Sequence, residues 1–498
     1  MPNKILLVHP LGYKSESSGR DVSRIANIMP PLGLASIAAY LEKENMHVHI
    51  VDCYARPSSD HLIKDYLARE MPSFIGFSCT TSSFLDGVRI ATLAKNILPG
   101  IKTVFGGPHV SALKTRILKG FPEVDFVVVG EGEETLRELL VCDGEIDTTI
   151  SHYGVIYRDK EGNPHFNGYR PKSIELDTLP FPAYEKLDGY PYAYKLPIFN
   201  YPQVPNSSCI SSRGCPYSCS YCDRSVFRNS FRYNSAEYLY EHLKYLKDRF
   251  HVRHINFYDD QFTFNRKRIE TFCRLMIDVP LGMTFNCAVR AEHIDPELAQ
   301  MMRDAGCWMI SLGVETGDED LLAQHRKNPD LEMLAEKIRM IHKARIRVKG
   351  LLMMGLPGET KSSIKKSMNY VFSLPIDEIN VSKFTPFPGT PLYEKAHELG
   401  TFEEDWEKMD CMHFLFVPKG MTKKILERFF LWFYIRHILR PKMLFGYVEM
   451  IWRSPDSWKR FLINIGGFLR FAFTDKRIAG TRKDRLTSTR KISPCREQ

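Results

Sequence analysis

No stretch of this 498-residue chain stays apolar for long: the longest uninterrupted run is seven residues, Phe429 to Ile435. A helix that crosses a bilayer needs about 20 such residues, so an integral membrane protein is not expected. Cysteine is scarce, 12 in all, and the opening MPNKILLVHP enters a strand-like run without a signal-peptide pattern. These two absences argue against a disulfide scaffold and for a reducing cytoplasm, where clustered cysteines are metal or redox ligands before they are disulfides. Glycine, at 31, is far too sparse for a collagen-like chain. Strong charge of one sign is missing over most of the length. The net charge is +9, but residues 419–498 hold 19 Lys/Arg against 6 Asp/Glu, and the remainder holds 49 against 53. The basic character belongs to the tail, which argues against nucleic acid as a partner. What is present is a globular mixture, 44% hydrophobic and 26% charged. It is enough for a sizeable core divided among about three domains.

Along residues 1–145, short β-branched runs alternate with helical spacing. ILLVH (5–9), HVHIVDC (47–53), SFIGFSC (73–79), KTVFG (102–106) and DFVVVG (125–130) read as buried strands. LGLASIAAYLEKEN (32–45), FLDGVRIATLAKNIL (84–98) and EETLRELL (133–140) read as helices between them. The expected fold is α/β: a doubly wound, Rossmann-like parallel sheet that binds ligands beyond its strand ends, at Gly106-Gly107-Pro108-His109 and Gly130-Glu131-Gly132-Glu133. Residues 146–205, rich in Pro, Tyr and Gly, read as a linker with one hairpin at 153–166. Residues 206–402 hold six further strand–helix units, which predicts a partial (β/α)6 barrel with its chemistry at the C-terminal strand ends. A helical, aromatic and basic region at 403–480 and a polar basic tail at 481–498 complete the chain.

The sharpest signal follows the first barrel strand: Arg213-Gly-Cys215-Pro-Tyr-Ser-Cys219-Ser-Tyr-Cys222. Three thiols within eight residues can face one centre, and soft thiolates suit an iron–sulfur cluster or zinc. Structural zinc wants four ligands, and no fourth stands nearby in a second knuckle. Three cysteines on a four-iron cluster leave one iron open. A zinc knuckle or simply buried thiols is the alternative.

The CxxxCxxC motif, with Tyr221 before its last cysteine, resembles the signature of radical S-adenosylmethionine (SAM) enzymes. YDDQFTFN (258–265), GVETGDEDLL (313–322), GLPGET (355–360) and FTPFPGTPLYE (384–394) resemble the rest of that barrel. PPLGLASIAAYL, GGPHVSAL and VGEGEETLREL resemble the cobalamin-binding domain fused to it in one large subfamily. That subfamily includes anaerobic magnesium-protoporphyrin ester cyclase, hopanoid methylases and other C-methyltransferases, and the resemblance covers roughly residues 4–400.

The resemblance implies that Cys215, Cys219 and Cys222 hold a [4Fe-4S] cluster whose open iron is chelated by SAM. One-electron reduction, from a donor such as flavodoxin or ferredoxin, then yields a 5′-deoxyadenosyl radical. It further implies C-methylation of an unactivated carbon in a small-molecule or lipid-like substrate, a second SAM remethylating the cobalamin. A radical cyclisation, oxidation or rearrangement without methyl transfer is the alternative, and a non-catalytic cobalamin or iron–sulfur sensor is a third reading. Tyr258-Asp259-Asp260 stands where relatives carry Gly-Gly-Glu, so Asp259 or Asp260 would pair with the SAM ammonium, unless the pair caps the next helix. Glu315 would lie near the SAM ribose or carboxylate, Arg290 would bind a carboxylate, and Gly355 to Glu359 would pack on adenine. Each also reads as a structural acid, ion pair or tight turn. Ser78, Thr80, Thr81, Gly106, Gly107, His109, Gly130 and Glu131 would line the cobalamin. In the known Asp-x-His-x-x-Gly motif a His replaces the cofactor's lower base. Here the stretch is Leu7-Val-His9-Pro-Leu-Gly12, so the orienting acid is missing and His9 is a poor cobalt ligand on sequence grounds. The 429–473 stretch mixes aromatics with Arg436, Arg440 and Lys442. It suits packing across the barrel mouth or a peripheral contact with an anionic membrane.

Overall fold

The structure is a computed structural model that describes residues 4–12, 27–57, 59–146, 152–171, 173–326 and 329–474, the last eight by backbone alone. The polar tail expected at 481–498 lies outside the described residues.

The first sheet is built on β1 (Lys4–His9), β2 (His47–Asp52), β3 (Phe74–Ser78), β4 (Lys102–Gly106) and β5 (Phe126–Val128), all parallel, in the order 2-1-3-4-5. Side chains alternate across a strand, and both faces of this sheet are apolar. Ile5 and Leu7 enter one core with Leu34, Ala38 and Leu41 of the helix Leu32–Lys43. Leu6 and Val8 enter the other with Ile63, Leu67, Ile90 and Ala94. The order reverses between β1 and β3, which makes their carboxyl ends the crevice of a doubly wound sheet.

The expectation of a linker over 146–205 is corrected. The predicted hairpin exists as β6 (Val155–Arg158) and β7 (Pro164–Phe166), but it pairs antiparallel onto β5 and extends the sheet to seven strands. Beyond it, Tyr184 and Tyr194 are buried. The Tyr184 hydroxyl donates to the Ser208 carbonyl at 3.4 Å, and that of Tyr194 donates to Asp52 Oδ2 at 3.0 Å. The stretch is therefore packed between the two sheets. Its elements are short, and aromatic residues rather than aliphatic periodicity fix them.

The second sheet has six parallel strands in chain order: β8 (Asn206–Cys209), β11 (His254–Phe257), β12 (Thr284–Val289), β13 (Cys307–Glu315), β14 (Arg347–Met354) and β15 (Glu378–Lys383). Between the first two, β9 (Ser212–Gly214) and β10 (Phe231–Tyr233) form a short antiparallel ribbon. This is the expected partial barrel. Its helices start on side chains that accept an otherwise unpaired backbone N–H, at Ser235, Asn265, Asp295, Asp318, Asp330 and Thr360. The cap after β11 is Asn265, so the alternative of Asp259 or Asp260 as that cap does not hold. One apolar core runs through both sheets, joining Leu7, Val104 and Phe126 to Ile255, Phe285, Ile310 and Val348. The last described elements are the helices Lys423–Ile438, Pro441–Arg453 and Pro455–Thr474. Among the described residues no helix is long and apolar enough to cross a membrane.

Candidate active site

The cysteine loop leaves β8 and is tied down at both ends. Asp259 is buried and accepts from the Ser211 amide at 3.1 Å, the Ser211 hydroxyl at 2.9 Å and the Ser212 hydroxyl. The Arg268 guanidinium donates to the same Ser211 hydroxyl at 2.6 Å. Gly214 follows with φ +87°, and a Cβ there would lie 2.2 Å from the Ser230 carbonyl oxygen, so only glycine fits the ribbon. The middle of the loop is pinned to the barrel. Tyr217 shares a hydrogen bond with His293 Nε2 at 2.8 Å and lies 3.7 Å beneath the Arg290 guanidinium. The Ser220 amide donates to the His325 carbonyl at 3.1 Å. The Cys222 amide donates to the Cys219 carbonyl at 3.2 Å, folding the last two thiols onto one turn.

The three thiols are free, reachable by solvent and close enough to feel one another electrostatically. Burial raises the Cys215 pKa. Cys222 opens to solvent on one side and is crowded by protein on the others; that desolvation, followed by Cys219, Glu315, Cys215 and Asp260, pushes its pKa up to about 12. An apolar, acid-lined surrounding of this kind disfavours bare thiolates, and a metal centre is what deprotonates them. Among the described residues, no three His, Cys, Asp or Glu side chains already surround a single ion. The donor set is three soft sulfurs on one loop, which suits a cluster bound by thiolates.

Acids and cations ring this loop. Asp260 is accessible yet walled by protein, and its pKa is pushed up to about 6 by desolvation and then by Asp259. Glu315 ends β13 in the left-handed region at φ +61°, a strained setting of the kind found at functional sites. Its carboxylate folds back over Gly313, where a Cβ would come within 2.6 Å of Oε1. Burial pushes Glu315 up to about 7, opposed by Arg326, Arg290 and a hydrogen bond from Tyr221. Arg290 and Arg326 share Glu292, two guanidinium groups on one carboxylate. The structure thus gathers Cys215, Cys219, Cys222, Tyr221, Asp260, Arg290 and Glu315 around one loop. It turns two expected contacts elsewhere. Asp259 points inward to hold Ser211 and Ser212. Glu359 is buried and accepts from the Gly355 amide, closing its own turn.

In the first domain several expected cobalamin contacts have other partners. Gly107, at φ +100°, lets β4 exit past β3, since a Cβ would lie 2.7 Å from the Cys79 carbonyl oxygen. Gly106 accepts from the Cys79 amide at 2.9 Å. The Gly130 amide donates to the Ser111 hydroxyl at 3.1 Å. Glu131 pairs with Arg213 at 2.6 Å and also with Arg232. His109 is buried under Trp406, with ring centres 4.5 Å apart, and its Nδ1 meets the Thr81 hydroxyl at 3.2 Å. Burial lowers its pKa to about 3, which keeps it neutral, and its Nε2 has no partner among the described residues. Ser78 and Thr80 stay accessible at the β3 end, beside the crevice.

The sequence reading missed Asp52 and gave Arg213 no partner. Asp52, across from His9 in the β1–β2 register, accepts from His9 Nδ1 at 2.8 Å. The orienting carboxylate missing from position 7 is supplied by the neighbouring strand, and the ground for discounting His9 falls. Arg213 bridges the loop before the first cysteine to Glu131 and to buried Glu133 of the first domain, both at 2.6 Å. The motif named Arg213 but gave no hint of partners some 80 residues earlier.

Residues 21–140 match the B12 binding domain family and residues 209–371 the radical SAM superfamily. The chain is 28% identical to an uncharacterized methyltransferase of Pyrococcus horikoshii, over 89% of this chain and 94% of that protein. It is 26% identical to the anaerobic magnesium-protoporphyrin IX monomethyl ester cyclase of Rubrivivax gelatinosus, over 95% of this chain and 79% of the cyclase. Its fold is similar to that of the cobalamin-dependent S-adenosylmethionine radical enzyme OxsB, with TM-score 0.71 and 18% identity over 94% of this chain and 75% of that one. The chain therefore joins a B12 binding domain to a radical SAM domain in one enzyme, and its cofactors are cobalamin, SAM and a [4Fe-4S] cluster.

Proposed function

We propose that this enzyme transfers a methyl group to an unactivated carbon of a small-molecule or lipid-like substrate, taking electrons from a flavodoxin- or ferredoxin-like donor. Together the bound cofactors supply a 5′-deoxyadenosyl radical and a transferable methyl group. Cys215, Cys219 and Cys222 hold the cluster; Asp260 and Glu315 face the SAM ammonium and ribose, and Arg290 its carboxylate. Ser78 and Thr80 meet cobalamin at the β1/β3 crevice, while Thr81 is buried against His109. The observation that carries this reading is the direct tie between the two halves: Arg213, two residues before Cys215, pairs with both acids of the first domain's last ligand loop. That junction keeps a thiol-bound centre and a B12 site in one rigid unit, as a radical-dependent methyl transfer needs. Holoenzyme reduced in the presence of methyl-deuterated SAM and a lipid and pigment extract tests it. A labelled methyl in one extract component, with both 5′-deoxyadenosine and S-adenosylhomocysteine formed, is expected. Deoxyadenosine with no labelled product would replace methylation by radical cyclisation, the reading favoured by the cyclase relative that spans 95% of this chain.

His9 is the candidate for the cofactor's lower face. A histidine whose Nδ1–H is held by a carboxylate presents Nε2 as the donor to a metal. In the electron paramagnetic resonance spectrum of the cob(II)alamin-loaded protein, the nitrogen splitting of the cobalt lines should change when histidine is labelled with nitrogen-15, and that response should be lost in His9→Ala. A wild-type spectrum without splitting removes His9 from the ligand set.

A further inference from the structure

Of the 24 exposed large hydrophobic side chains among the described residues, 13 fall between Leu431 and Ile465. They are ordered. On the helix Lys423–Ile438 and its end, Leu431, Trp432, Ile435, Ile438 and Leu439 are exposed, while Leu426 and Phe433 are buried against the barrel. On Pro441–Arg453 the same spacing recurs in Leu444, Phe445, Val448, Ile451 and Trp452, while Met443 and Met450 are buried. The spacing i, i+1, i+4, i+7, i+8 is one face of a helix, so each helix turns an apolar stripe outward and a second apolar stripe inward. Leu462, Ile463 and Ile465 continue the exposed set on the third helix. Phe445 and Trp452 are 76% and 74% exposed, far from the half-covered state of a stray surface residue.

The charge around the stripes is mostly positive. Lys423, Lys424, Arg428, Arg436, Lys442, Arg453 and Lys459 are exposed. The acids are engaged: Glu427 with Lys383, Asp456 with the Tyr201 hydroxyl, and Glu449 with Arg453. We infer that the helices at 423–466 form a monotopic surface that seats the enzyme on an anionic lipid bilayer. Aromatic and aliphatic side chains enter the headgroup boundary, and the flanking cations meet lipid phosphates. A second copy of this chain fits less well, since a twofold contact would set this basic face against itself. The surface is separate from the cysteine loop, and the inference stands whether or not the methyl-transfer reading does.

Cosedimentation of the full holoenzyme with vesicles tests it, comparing equimolar phosphatidylglycerol and phosphatidylcholine with phosphatidylcholine alone. The wild type should bind the anionic vesicles, with affinity falling as salt rises. The variant F445E/W452E should bind at least about tenfold more weakly, with its cluster and cobalamin absorbance unchanged. Equal vesicle binding by wild type and variant overturns the inference. So does a wild-type dimer in sedimentation velocity that the variant converts to monomer, which would give the face to a second copy.

Discussion

Cys219→Ala abolishes the absorbance of the iron–sulfur cluster and reduces 5′-deoxyadenosine formation by more than about 100-fold, beyond the 10–100-fold typical for losing an outer-shell partner of a metal ligand. The expectation follows from the loop. Its sulfur is one of three on a segment pinned at Tyr217 and Ser220, and no spare thiol lies on that turn. The backbone contact at this position, the carbonyl that accepts from the Cys222 amide, survives in alanine. Cys219 is half-buried rather than part of the apolar core, so no large cavity opens. Circular dichroism and cobalamin absorbance should therefore match the wild type. Iron analysis and anaerobic SAM cleavage check the prediction. Unchanged cleavage in the variant, or zinc in place of iron in the wild type, would remove the cluster assignment.

Arg213→Met destabilises the fold by about 3–5 kcal/mol, the usual cost of leaving a buried charge without its partner. Glu133 lies 3% exposed at the start of its helix, with the Arg213 guanidinium 2.6 Å from its Oε1. Burial alone would raise its pKa, but the arginine outweighs burial and the net direction is downward. A carboxylate with a lowered folded-state pKa contributes stability that is present at neutral pH and lost as the solution becomes acidic. The wild type should therefore lose stability toward low pH more steeply than Arg213→Met. Urea denaturation of the single variants and of Arg213→Met/Glu133→Leu completes a cycle. The double variant should recover most of the loss, because it removes both charges together. A loss below about 1 kcal/mol in Arg213→Met would mean that water already reaches the pair.

The strands were legible because their chemistry is local. ILLVH and KTVFG are short β-branched runs with helical spacing on either side, and they lie in β1 and β4. The cysteine loop was legible for the same reason, since three thiols at fixed spacing need no tertiary information. What the sequence hid was long-range pairing. Asp52 becomes a partner of His9 only once β2 lies beside β1 in register. Glu131 reads as a ligand contact from its glycine-bearing turn, and only the fold shows that Arg213 and Arg232 hold it. His109 reads in the sequence as part of an open glycine-bearing turn, yet it lies in the helix Pro108–Leu113 and Trp406, almost 300 residues later, closes over it. Residues 146–205 looked like a tether because three- and four-residue strands carry too few side chains to show a period.

The apolar interior that runs unbroken from Leu7 to Val348 leaves no plane of weakness along which the halves could part. Opening the halves like a clamshell would expose that interior to water, at a cost that scales with its apolar area. Reactants can reach the thiols, which are open to solvent, without parting the halves. Severing the polypeptide between the halves should yield two insoluble fragments instead of two working pieces.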